Sequence, residues 1–136
     1  MSIKNRFVLP EIGDHCTFRK TMTVAEQAMF TGISGNLGHL YVDRNAAKAV
    51  GLADMAIFEL AGSALLTTCL ARLAGPGYRI AEISARFAHA LVVGTTVEAT
   101  ARLIAREGQD LLFSLVLDVA GATVSTGEAR LVRFEG

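Results

Sequence analysis

Water addition, hydrolysis and related reactions need side chains that take or give protons, and this chain places few of them together. Three stand in one glycine-punctuated stretch, SGNLGHLYVD, residues 34–43: Asn36, His39 and Tyr41. The Asn36 amide can orient a water or a carbonyl but accepts no proton, and at a helix exit it is equally suited to bonding the local turn. His39 carries the one group of the stretch that ordinarily titrates near neutrality, although a histidine in such a loop also serves as a solvated or capping residue. The Tyr41 hydroxyl, ordinarily ionising near pH ~10, can donate to a substrate oxygen without changing charge, or simply pack with its hydroxyl on backbone.

A fourth candidate is Glu59, in the apolar run MAIFELAGSALLTTCLARLA, residues 55–74. Ser63 and Thr67 follow it at i+4 and i+8, so a helix puts the three on one polar stripe. A lone acid in such a helix must be satisfied, either as a proton carrier in a site or by an Arg at a subunit interface. His89 follows Phe87 by two residues on a strand and so shares its face, which suits a subunit interface. His15, Cys16 and Cys69 are assigned to surface or core.

The elements that must position these groups read as follows. Thr23 and Glu26 form a capping box ahead of Val24, Ala28, Met29 and Ile33 at helical spacing, and Gly35 offers the stop. Asp43 can cap a shorter helix through Ala46, Ala47 and Val50, closed by Gly51. The run 55–74 predicts a third helix, apolar nearly all round and therefore buried on all sides, ended by Gly75, Pro76 and Gly77. At about 20 residues it approaches a bilayer span, but Glu59 near its start and the strands after it favour a core helix.

Beyond Tyr78 the period changes to two. Strands are expected over 78–87, over 95–107 with Val97, Ala99, Ala101, Leu103 and Ala105 inward, over 111–120, and over 123–134. They are expected to form a meander of four antiparallel strands, joined by one near 17–22. One long apolar helix wrapped by a twisted antiparallel sheet is an α+β arrangement.

Length and composition limit the function classes. The 136 residues fit a single domain, 1–136. Lys plus Arg and Asp plus Glu number 13 each, without a basic run, which speaks against nucleic acid and against a membrane surface. The 51% hydrophobic content suggests that apolar surface is buried between subunits. Two cysteines without C-x-x-C spacing suggest neither a zinc site nor a disulfide, and the opening MSIKNRFVLPEIGD lacks the apolar run of a secretory leader; a cytoplasmic protein with reduced thiols is expected.

The chain resembles the MaoC-like members of the hot-dog superfamily, the (R)-specific enoyl-CoA hydratases and 3-hydroxyacyl thioester dehydratases. The likeness runs from IGDHCTFRKTMTVAEQAMFTGISG through VDRNAAKAVG and LAGPG to ARFAHALVVGTTVEATARL and GEARLV. It implies the hot-dog fold, an antiparallel sheet wrapped around a long central helix, and an acyl-CoA or acyl carrier protein thioester as substrate.

The family motif reads S-G-D-x-N-P-x-H-x-D. Laid on without a gap, Ser34, Gly35 and Asp43 match, while the catalytic Asp falls on Asn36 and the catalytic His on Tyr41. The His-Gly pair at the start of the central helix, whose glycine N–H binds the thioester oxygen, falls on Ile57 and Phe58. The resemblance puts Phe58, Gly62, Ser63 and Phe87 beside the substrate. It implies no cofactor and no metal, and a homodimer or higher homo-oligomer.

The expected activity is hydratase or dehydratase chemistry at an altered site made of Asn36, Tyr41, Glu59 and His39, with Glu59 as proton carrier. Two alternatives stay open. One is a thioesterase using Glu59; the other is a non-catalytic acyl-thioester-binding subunit paired with a dyad-bearing paralogue in a heterodimer.

Overall fold

The computed structural model describes residues 8–134. The first seven residues, on which part of the leader expectation rests, lie outside the described residues. Strand β1 (His15–Thr21) leads to Thr23, which caps helix α1 (Val24–Ser34) through the expected reciprocal bonds with Glu26. Gly35, at φ 71°, ends α1 in a left-handed conformation that a side chain would resist. After a single turn, α2 (His39–Val42), the Asp43 carboxylate accepts from the N–H groups of Asn45 and Ala46 and starts α3 (Arg44–Ala49).

The long helix α4 spans Glu59–Ala74 and so begins four residues later than the apolar run predicts. Residues 55–58 are held extended instead, because other chain segments take their backbone groups. Ala56 N–H donates to Leu40 C=O (2.8 Å), Ile57 N–H to Leu91 C=O (2.8 Å), and Met55 C=O accepts from Val93 N–H (2.9 Å). Tertiary pairing thereby overrides helix propensity and makes Glu59 the first helical residue.

The sheet holds β2 (Tyr78–Phe87), β3 (Thr96–Glu107), β4 (Asp110–Val119) and β5 (Ala122–Arg133) besides β1, in the order β1-β3-β4-β5-β2, all antiparallel. The expected four-strand meander is corrected here: β3, β4 and β5 follow one another, but β2 lies beyond β5 at the edge. Residues 88–95 must therefore cross the width of the sheet, and they do so past the start of α4, where Val92 bridges to Ala56. This crossing is what encloses the site. Gly127 lets β2 approach β5, since a Cβ there would stand 1.9 Å from the Ser84 carbonyl oxygen.

One face of the sheet packs on α4. Val97, Ala99, Ala101 and Leu103 of β3 are fully buried, as their alternation predicts, and Phe113, Leu115 and Leu117 of β4 join them against Leu65, Leu66, Cys69 and Leu70. Small residues at 99 and 101 bring helix and strand close, with the Cys69 thiol 3.4 Å from Ala99 C=O.

Burial on every side of α4 is not what the fold provides. The sheet covers one side, leaving Leu60 63% exposed and Ala64, Thr67 and Ala71 outward. Helix α1 likewise turns Val24, Met29 and Ile33 to the exterior, and its buried residue is Gln27. Cys16 and Cys69 are both free thiols that meet where β1 lies over α4. Burial first, and the adjoining Cys16 second, push the Cys69 thiol up to about 11.

Candidate active site

The late start of α4 decides the geometry of the site. Phe58 ends the extended segment, 2% exposed, with its ring 4.8 Å from Phe30 and stacked on Tyr41 at 4.4 Å and 14°. One residue on, Glu59 meets the same tyrosine: the Tyr41 hydroxyl donates to Glu59 Oε1 at 2.7 Å. The lone acid of the apolar helix thus finds a partner in the Tyr41 hydroxyl. The bond to Glu59, then burial, then the carboxylate's charge hold the Tyr41 hydroxyl above the usual phenol range, so it stays a neutral donor.

Gln27, 5% exposed, fixes this pair from beneath. Its amide nitrogen donates to Tyr41 C=O (2.8 Å) and Ala56 C=O (2.9 Å), and its amide oxygen accepts from Phe58 N–H (3.3 Å). The Phe58 backbone donor, expected to face a thioester oxygen, is therefore engaged within the protein. No side chain caps α4; Ala61 N–H donates to Phe58 C=O at 3.0 Å, so the first-turn donors without such a partner are the N–H groups of Glu59 and Leu60.

Glu59 lines a narrow pocket, with a cavity of about 20 Å³, between the start of α4 and the sheet. Ile57, Phe58 and Gly62 form the helix side; Leu117, Val124, Ser125 and Phe87 form the sheet side, and His89 and Leu91 of the crossing segment close it. Leu117, Ser125 and Phe87 are paired across β4, β5 and β2, which puts their side chains on the one face turned to α4.

Of the residues singled out from the sequence, the structure brings Glu59, Phe58, Gly62 and Phe87 into this pocket, with Tyr41 holding Glu59 from behind the wall. Asn36 and His39 stand apart from it. Asn36 is exposed, and its Oδ1 accepts from Gly38 N–H at 2.8 Å, the turn bond of a helix exit. His39 is exposed at the start of α2. Ser63 is 7% exposed with its Oγ unpartnered, but it is outside the lining. Thr67 points outward and bonds Ala64 C=O.

His89, expected on a strand at a subunit interface, is instead on the crossing segment and lines the pocket. Two further positions at the pocket and its support escaped the sequence reading. Ser125 gave a faint signal, as a polar residue at an inward register position of a strand. Gln27 gave none, because a glutamine in an amphipathic helix reads as solvent-facing.

No protein-family model matches the chain, and no curated relative does. Solved structures do. The (R)-hydratase of A. caviae superposes with a TM-score of 0.84 at 25% identity, over 89% of this chain and 95% of that one. The (R)-hydratase PhaJ1 of Pseudomonas aeruginosa gives 0.84 at 18%, over 93% and 83%. The ChsH1–ChsH2 complex of Mycobacterium tuberculosis gives 0.82 at 17%, over 91% and 98%. The fold is the hot-dog fold. Within it the sheet covers one side of helix α4, and among the described residues no helix is long and apolar enough to cross a membrane.

Proposed function

We propose that this hot-dog chain is an acyl-thioester hydratase or dehydratase in which Glu59, held by Tyr41, does the work that an Asp–His pair does in the MaoC-like enzymes. The observation that carries this reading is the Tyr41–Glu59 hydrogen bond beside an apolar pocket. Position 41 still supplies a proton donor, while the carboxylate has moved from the loop to the first residue of α4. The likeness to an (R)-hydratase at 25% identity over nearly both chains supports the same reaction.

With Oε1 fixed by Tyr41, Oε2 has no partner among the described residues and faces the reaction. Glu59 takes a proton from water as the water oxygen bonds to the β-carbon of a 2-enoyl thioester. The C=C electron pair moves to the α-carbon, which takes the proton back from Glu59; the reverse sequence is dehydration. The thioester oxygen, gaining charge on the way, is directed to the uncapped first turn of α4. Asn36 and His39 stand on the segment that leads to Tyr41, outside the pocket.

The chain is read as a cytoplasmic homodimer. Edge strand β2 exposes Ile80, Ile83 and Phe87 and has no partner on its outer side among the described residues. Antiparallel pairing of two copies about Ser84 sets Glu82 of each opposite Arg86 of the other, a self-complementary charge pattern.

The test is incubation of the purified protein with saturated, 2-enoyl and 3-hydroxyacyl-CoA esters, read by mass spectrometry. Gain or loss of water, abolished in Glu59→Gln, supports the proposal. Tyr41→Phe is expected to lower kcat about 10- to 100-fold with KM little changed, since it removes one bond to a charged group that orients the base. Free CoA as product replaces this reading by the thioesterase one. No turnover across the panel replaces it by the non-catalytic subunit of a heteromeric hydratase.

A further inference from the structure

The chain has two cysteines, and the fold brings them together although nothing in their spacing announces it. Cys16 is half-buried on β1, the edge strand at the end of the sheet opposite β2, and packs against the core. It shares the inward face of β1 with Phe18, and the two stand opposite Ala101 and Ala99 of β3. Cys69, fully buried on α4, lies over the same alanines, with its Sγ 3.4 Å from Ala99 C=O. Opposed residues of antiparallel strands are about 4.5–5.5 Å apart at Cα, so the thiol of Cys16 is next to Ala101 and meets that of Cys69. Alanine at both β3 positions leaves the two sulfurs room to do so. Both are free thiols, and neither lines the Glu59 pocket.

We propose that Cys16 and Cys69 form a site of reversible oxidation, at which a peroxide joins β1 to α4 through a disulfide bond and so holds the fold together. Cys16, the accessible thiol, reacts first. Its thiolate sulfur takes one oxygen of hydrogen peroxide, the O–O bond breaks, and the hydroxide released leaves as water with the proton the thiol gave up. Cys69 then attacks the sulfenic sulfur: the S–S bond forms, the S–O bond breaks, and the hydroxyl departs as water with the Cys69 proton. The two thiols together lose two electrons, and one peroxide becomes two waters. Burial holds Cys69 protonated, its thiol pushed up to about 11, which keeps it from being oxidised first and makes it the resolving partner. Arg72, its guanidinium 5.3 Å over the Phe18 ring, is a cation beside the pair and favours the thiolate as that proton leaves. The bond would close a loop that holds α1, α2, α3 and the first turns of α4, with Gln27, Tyr41 and Glu59 inside it. A crosslink of that span stabilises mainly by restricting the unfolded chain. None of this depends on what the Glu59 pocket binds.

The experiment treats the reduced, folded protein with hydrogen peroxide, denatures it in iodoacetamide and reads it by intact mass and peptide mapping. The expected product is a chain lighter by two hydrogens, without an iodoacetamide adduct, in which the Cys16 peptide is linked to the Cys69 peptide and dithiothreitol restores both thiols. Its Tm should stand about 6–15 °C above that of the reduced form. Cys69→Ala removes the resolving thiol, so Cys16 should pass on to sulfinic or sulfonic acid, which dithiothreitol does not reverse. Cys16→Ser, a change at a half-buried position that keeps the fold even if Cys69→Ala does not, should leave Cys69 unoxidised. Disulfides between chains on a non-reducing gel, sulfinic or sulfonic acid at Cys16 of the wild type with Cys69 still free, or a Tm unchanged or lowered by oxidation would each overturn the proposal. So would oxidation of Cys69 in folded Cys16→Ser.

Discussion

Gln27 is the residue on which the geometry of the site depends most, and its replacement by Met is the sharpest test of the fold around it. Met keeps the length and most of the volume but has neither the donor nor the acceptor. It would orphan Tyr41 C=O, Ala56 C=O and Phe58 N–H, which Gln27 now bonds at 2.8, 2.9 and 3.3 Å. Two of these are well-formed bonds and the third is long, so at roughly 1 kcal/mol net for each good bond, and less for the third, the loss is about 2–3 kcal/mol. For a domain of this size that corresponds to roughly 6–12 °C in Tm.

The chain has no Trp, so unfolding in urea is best followed by circular dichroism, at fixed protein concentration because the chain is read as a dimer. A loss below about 0.5 kcal/mol would refute the hub role and with it the explanation of why Phe58 and Tyr41 stack. Gln27→Glu adds a second reading. Its carboxylate would face two carbonyl oxygens, which raises the folded-state pKa above the unfolded value. The variant should be least impaired in acid, where the protonated form can donate one bond, and lose stability as pH rises.

Gly127→Ala should open the β2–β5 pairing, since the new Cβ meets Ser84 backbone and not a movable side chain; a loss of about 3 kcal/mol or more, with weakened dimerisation, is expected from denaturation and sedimentation. Ile83→Lys on the exposed edge should give monomers by light scattering with the fold intact, and an unchanged dimer would show that β2 is not the interface. Iodoacetamide at pH 8 should label Cys16 alone in the folded protein, because Cys69 is fully buried and its thiol is pushed up to about 11; a second adduct without denaturant contradicts that packing. Asn36→Asp should leave turnover unchanged, as an aspartate accepts the same Gly38 N–H and remains outside the pocket, whereas a gain would mean that the loop closes onto Glu59 during reaction.

Most of the scaffold was legible from local signals. The capping box at Thr23, the left-handed stop at Gly35, the Asp43 cap and the alternation of Val97, Ala99, Ala101 and Leu103 are each written within a few residues, and each stands as read. What the sequence hid is long-range. The start of α4 depends on Leu40 and Leu91 claiming the backbone of 55–58, and no window on MAIFEL contains either residue. The place of β2 depends on which strand offers it a free edge, which periodicity does not encode. The apolar face of α1 misled for a related reason: helical spacing says that a face exists, not that it turns inward, and here the inward contact is polar and made by Gln27.

The site shows the same division between local and long-range information. Set against the motif of the family that the sequence resembles, the stretch has Asn36 where a carboxylate is expected and Tyr41 where an imidazole is expected, and the loop alone suggests a site without chemistry. The fold returns a carboxylate from another element, because the extended segment 55–58 delivers Glu59 to the hydroxyl at position 41. Under the proposed reading the two departures are one change: a tyrosine reaches farther than a histidine and meets an acid on the helix, and an acid on the helix makes one at position 36 redundant. On this argument the two substitutions are coupled. Tyr41→His alone is shorter and sacrifices the stacking on Phe58 as well as the bond to Glu59, so it should impair turnover at least as much as Tyr41→Phe, even though it restores the residue type of the family motif.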